Sequence, residues 1–86
     1  MKVFVYALST CPWCRKTKKF LQENQIPFDF VDYDLQNEAE QEKIIQEMTK
    51  FGGGSAFPLV VIGEEAVIGY NPQRIAQILG LKTAPA

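Results

Sequence analysis

Two cysteines, Cys11 and Cys14, stand three residues apart, and the 86-residue chain holds no other cysteine and no histidine. A thiol pair at this spacing suits disulfide exchange or soft-metal binding. It suits stapling poorly, since closing so short a loop removes little chain entropy. The surrounding segment, Ser9-Thr10-Cys11-Pro12-Trp13-Cys14, lies where a short apolar run ends and helical spacing begins. Pro12 fits the first helical position, where its missing N–H and fixed φ cost nothing. Cys11 then becomes the N-cap, its sulfur facing the unpaired N–H groups of Trp13 and Cys14 at the positive end of the helix dipole. Both effects favour the thiolate, which is the nucleophilic form. Arg15, Lys16, Lys18 and Lys19 add a favourable field, attenuated by solvation on the helix surface. With no histidine, imidazole activation is excluded and the helix terminus must do the work. Cys14, inside the first turn, meets fewer free N–H groups and is expected to stay protonated. Attack by Cys11 on a disulfide and resolution by Cys14 is the chemistry implied. Trp13 would wall the site.

Metal binding is the competing chemistry. Two thiolates without histidine cannot complete a tetrahedral zinc site within one chain. A dimer sharing four thiolates, or an iron–sulfur cluster bridged through Cys11, is the alternative of another class; Pro12 should stiffen the turn and hinder it. No metal ligand set and no bound cofactor is expected otherwise. A binding module with a vestigial thiol pair is the third reading, and an unperturbed Cys11 thiol would mark it.

The elements that position the pair follow from periodicity. Lys2 to Leu8 is apolar and rich in β-branched and aromatic residues, a buried first strand. Residues 12 to 24 switch to helical spacing, with Trp13, Thr17, Phe20, Leu21 and Asn24 sharing one face. Pro27 to Tyr33 returns to strand character, and Asp34 to Asn37 is a polar turn. Asn37 with Glu40 resembles a capping box for a second helix, whose buried stripe is Ile44, Ile45, Met48 and Phe51. Gly52 to Ser55 reads as a flexible loop. Phe57 to Ile62 and Ala66 to Gly69 are two more strands joined by a tight turn at Gly63 to Glu65. Asn71 as N-cap and Pro72 behind it start a last helix, with Ile75, Ile78 and Leu79 inward and Gly80 as its stop. Lys82 to Ala86 reads as a frayed tail. The order is βαβ–α–ββα: an α/β fold with a four-stranded mixed sheet, a parallel first pair, a final hairpin and three helices on its two faces.

Bulk properties narrow the setting. The length fits one domain spanning residues 1–86, and 47% hydrophobic with 22% charged residues is ordinary for a folded chain. A net charge of −1 argues against a nucleic-acid binder that relies on phosphate neutralisation. No stretch could span a membrane, and the opening residues are too short an apolar run for a secretory signal. A cytoplasmic location and a monomer are the expectations, and in a reducing compartment such a pair is redox-active or metal-binding rather than structural.

Three segments carry a resemblance. Cys11-Pro12-Trp13-Cys14 after a first strand resembles the CPxC active site of glutaredoxins. Ala56-Phe57-Pro58 resembles their TVP segment, and Ile68-Gly69 before a capped helix resembles their third motif. The resemblance runs over residues 2 to 80 and implies a thioredoxin-like fold with Pro58 cis. It also implies a groove shaped by Phe57 and Pro58, the Phe57 backbone pairing with an extended substrate by strand addition. From the residues alone, Pro58 at the start of a strand is equally a structural residue. The groove residues the resemblance points to are Pro12, Trp13, Phe57, Pro58, Gly69, Tyr70 and Asn71. Tyr70 reads either as a gate over the cleft or as a packed loop aromatic.

Three positions depart from the family pattern. Leu8 stands where glutathione-binding members usually carry lysine, Ala56-Phe57 replaces Thr-Val, and Gly69-Tyr70-Asn71 replaces a Gly-Gly pair followed by aspartate. Losing a cation and a carboxylate should weaken recognition of glutathione. Ile68-Gly69-Tyr70-Asn71-Pro72 instead resembles the SGF-x-P segment of NrdH-type redoxins, which donate electrons to ribonucleotide reductase and are reduced by thioredoxin reductase. Expected partners are thus disulfide-containing proteins or glutathione mixed disulfides, with glutathione or thioredoxin reductase as reductant.

Overall fold

The computed structural model describes residues 2–54 and 56–80, so Ser55 and the expected tail from Lys82 lie outside the described residues. Within them the chain forms β1 (Val3–Ala7), α1 (Pro12–Glu23), β2 (Asp29–Asp32), a short 3-10 turn (Tyr33–Leu35), α2 (Glu38–Lys50), β3 (Leu59–Ile62), β4 (Glu65–Ile68) and α3 (Pro72–Leu79). The expected order is therefore observed. Boundaries are tighter than periodicity suggests, most of all in β2 and β3. The strands lie in the order β2-β1-β3-β4, with β1 parallel to β2 and antiparallel to β3, and β3 antiparallel to β4.

Alternation along the central strands divides the core. Val3, Val5 and Ala7 of β1, with Val60 and Ile62 of β3 and Val67 of β4, face Cys14 and Leu21 of α1 and Ile75 of α3. Tyr6, Leu59 and Val61 point the other way and meet Ile44 and Met48 of α2. Successive residues of a strand project to opposite faces, so each central strand supplies both halves of the core. Val5 opposite Val60, and Val60 opposite Val67, fix the register of the inner layer.

Each helix begins on a side-chain cap. Asn37 Oδ1 accepts from Glu40 N at 2.9 Å, and Asn71 Oδ1 from Arg74 N at 3.1 Å. Such caps are each worth about 1 kcal/mol. Gly80 ends α3 at φ +69°, a left-handed conformation that glycine adopts without steric cost. No helix among the described residues is long and apolar enough to cross a membrane.

Two assignments of helix faces need correction. Trp13 is exposed, and Cys14 takes the inward position beside Thr17 and Leu21. Phe51 is also exposed at 37%, because α2 ends at Lys50 and the chain turns away there, with the Phe51 and Gly52 N–H groups bonding back to Met48 O and Thr49 O. The loop that follows is anchored: Gly53 is buried, donates to Met48 O, and lies so close to Leu59 that an added Cβ would meet Leu59 Cδ2 at 2.8 Å. Met48→Ala is expected to cost about 2–5 kcal/mol in urea unfolding, as for a fully buried methionine, and Phe51→Ala much less. Equal losses would return Phe51 to the core.

Candidate active site

The β1–α1 junction brings the two thiols together. Cys11 is the N-cap of α1 in extended conformation, Pro12 follows as the first helical residue, and Cys11 Sγ accepts from Cys14 N at 3.4 Å. Cys14 is fully buried, its Sγ accepting from Leu8 N at 3.4 Å, while Cys11 is half-buried; both are free thiols. The inward sulfur thus receives an N–H from the strand side of the junction, which the helix-based reading of the sequence missed.

Environment separates the two thiols. Partial burial pushes Cys11 up, but hydrogen bonds from the Cys14 thiol and from the Cys14 and Trp13 N–H groups outweigh it. With the Arg15 charge they hold Cys11 below the ordinary thiol value. Burial of Cys14, together with its thiol bond to Cys11 and repulsion from the Cys11 thiolate, pushes that group up to about 11; the Leu8 N–H and Lys18 oppose the rise.

Beside the thiols, Trp13, Phe57, Pro58, Gly69 and Tyr70 line a hollow of about 310 Å³. The Phe57–Pro58 bond is cis, as the resemblance implies, and Pro58 is buried. Gly69, at φ +80°, lets the chain leave β4 so that its N–H reaches Pro58 O at 2.7 Å. Tyr70 stacks on Trp13 with ring centroids 6.0 Å apart, and Lys16 Nζ lies 4.4 Å from the centroid of the Trp13 ring. Pro12 and Asn71, the other groove residues expected from sequence, do not line this hollow: each is spent starting a helix. A larger hollow of about 460 Å³, between the 3-10 turn and α2, is lined by Tyr33, Glu38, Gln41, Glu42, Ile45 and Gln46 and contains no thiol.

Sequence reasoning missed two supports. Ser9 N and Ser9 Oγ both donate to the Asp34 carboxylate, tying the loop before Cys11 to the 3-10 turn and holding Asp34 below the usual carboxylate range. Lys18, read as solvated, is instead half-buried and paired with Asp32 at 3.0 Å. The available signal was its position four residues after Cys14, one helical turn along the same face.

The sequence profile described as Glutaredoxin matches residues 3–67. The chain belongs to the glutaredoxin family. This glutaredoxin is 35% identical over 75 residues to an uncharacterised glutaredoxin-like 8.6 kDa protein in the rubredoxin operon of Clostridium pasteurianum, covering 87% of this chain and 93% of that one. It is 29% identical over 76 residues to the glutaredoxin-like protein NrdH of Lactococcus lactis, covering 88% and 97% of the two. Methanoredoxin from Methanosarcina acetivorans superposes on it with a TM-score of 0.86 at 35% identity, over 92% of this chain and 84% of that one. The glutaredoxin thus has the thioredoxin-like fold, and thiol–disulfide redox chemistry is its function.

Alkylation should resolve the two thiols by pH. Cys11 should react with a midpoint below the free-thiol value of about 8.5, and Cys14 should stay unreactive until the pH approaches about 11. Mass spectrometry of iodoacetamide-treated protein across pH reads both; equal labelling of the two thiols at neutral pH would contradict the assignment.

Proposed function

We propose that this glutaredoxin is a dithiol–disulfide oxidoreductase in which Cys11 attacks and Cys14 resolves. The observation that carries the reading is the asymmetry of the pair: a half-buried sulfur stabilised as thiolate at the start of α1 beside a fully buried one that holds its proton. The Cys11 thiolate attacks one sulfur of a substrate disulfide, forming a mixed disulfide and expelling the other half as a thiolate. Cys14 then loses its proton and attacks Cys11 Sγ, giving the Cys11–Cys14 disulfide and releasing the second half of the substrate. The substrate gains two electrons, which a reductant must return to the pair.

The groove supports a protein disulfide as substrate. Pro58 has no N–H, and its carbonyl already accepts from Gly69, so strand-like pairing with an extended substrate falls to the Phe57 backbone. The stacked Trp13 and Tyr70 rings give the groove an apolar wall. The five lining residues carry no charge, and Leu8 stands in place of a lysine. The two carboxylates of glutathione therefore find no ion pair inside the groove, and thioredoxin reductase is the reductant we favour. The 29% identity to an NrdH protein agrees with this preference.

Two measurements test the proposal. Cys11→Ser should abolish turnover, and Cys14→Ser should accumulate a substrate adduct on Cys11 visible by intact mass; full activity without Cys11, or an adduct elsewhere, refutes the mechanism. In an NADPH-oxidation assay with a disulfide substrate, thioredoxin reductase alone should sustain faster turnover than glutathione with glutathione reductase. The reverse order would show that Leu8 and Tyr70 do not impair tripeptide recognition.

A further inference from the structure

The resolving step carries a demand that the pair alone does not meet. Cys14 must become a thiolate while buried, and the helix terminus that serves Cys11 is committed to the other sulfur. Lys18 lies on α1 one turn beyond Cys14. Its side chain is 19% exposed, with Nζ 3.0 Å from Asp32 Oδ1 and 3.9 Å from the centroid of the Phe30 ring. Asp32 closes β2 opposite Ala7, the last residue of β1, and Leu8, which follows that strand, donates its N–H to Cys14 Sγ. Ion pair and thiol therefore flank the same strand end, and the positive charge is fixed there instead of swinging in solvent.

From this placement we infer that Lys18 is a positioning residue for the resolving step: its charge, held by Asp32 and Phe30, stabilises the Cys14 thiolate as it forms. The inference rests on Cys11 attacking and Cys14 resolving. The charged groups around Cys14 are Cys11 at the N-cap, Lys18 on its own helix, Asp32 on β2 and Asp34 on the 3-10 turn; Arg15 is directed at Ser9 O and acts on Cys11. Lys18 is the cation acting on Cys14, and its charge also reaches Asp34. Asp32 fixes the lysine charge at this strand end, and Asp34 is held by Ser9. In the step itself the Cys14 S–H bond breaks and its proton passes to solvent. A sulfur–sulfur bond then forms between Cys14 and Cys11 as the bond from Cys11 to the substrate breaks, and the electron pair leaves on the substrate thiolate.

Stopped-flow reaction of the reduced protein with one equivalent of dithiobis-nitrobenzoate separates the stages. The first coloured thiolate is released by attack of Cys11 and the second by Cys14. Lys18→Met should slow the second release about three- to tenfold at neutral pH and move its pH profile to higher pH, as expected for removing one nearby charge. The first release should be unchanged, and Lys18→Arg should restore the second. Asp32→Asn, which keeps the lysine charge but frees it to swing toward solvent, should slow the second release less than Lys18→Met does. An unchanged second release in Lys18→Met, or equal slowing of both releases, overturns the inference. So does slowing by Asp32→Asn greater than that by Lys18→Met, which would make the ion pair a strut. Persistence of the first release in Cys11→Ser would instead refute the underlying assignment of the nucleophile.

Discussion

The site depends on one hydrogen-bonding arrangement: a sulfur in place of the usual oxygen at the start of α1. Helix N-termini leave donors unsatisfied, and caps normally answer with Ser, Thr, Asp or Asn. In α2 and α3 the chain uses asparagine in that role. In α1 it uses Cys11, so the need of the helix for an acceptor and the need of the sulfur for negative charge are met together. Everything around it keeps that geometry: Pro12 sets the first helical φ, Asp34 holds Ser9, and the Cys11 N–H donates to Leu8 O.

A second consequence is that one junction makes two unlike thiols from the same residue. Three residues separate them in sequence, yet one lies at the solvent margin and the other in the apolar layer with Val5, Leu21 and Ile75. Burial that would be wasteful for a nucleophile suits a resolving group, which should stay protonated until a mixed disulfide is in place. Within that layer the buried sulfur still accepts a hydrogen bond from the Leu8 N–H.

Much of this was legible in the sequence. The order of elements, the place of the thiol pair at the β1–α1 junction, the capping residues and the last helix all follow from local rules, because caps, proline positions and period-two strands act over a few residues. What escaped depends on distant partners. Ser9 meets Asp34 and Lys18 meets Asp32 only because β1 and β2 lie side by side. The helical stripe erred at Trp13 and Phe51 for a different reason: at helix ends the spacing no longer says which side is covered, and apolar residues there can face outward. Gly53 looked like part of a loose connector, but its backbone packs against Leu59.

Trp13 is the only tryptophan in the chain, and it stands half-uncovered against both the Lys16 ammonium and the Tyr70 ring in the lining of the groove. Anything that settles into the groove must displace water from that indole or shift its neighbours, and indole emission is sensitive to both. The protein therefore carries an intrinsic optical gauge at the groove beside its thiol pair, unobscured by signal from any second tryptophan. Its occupancy can be followed by light without attaching a label to either thiol.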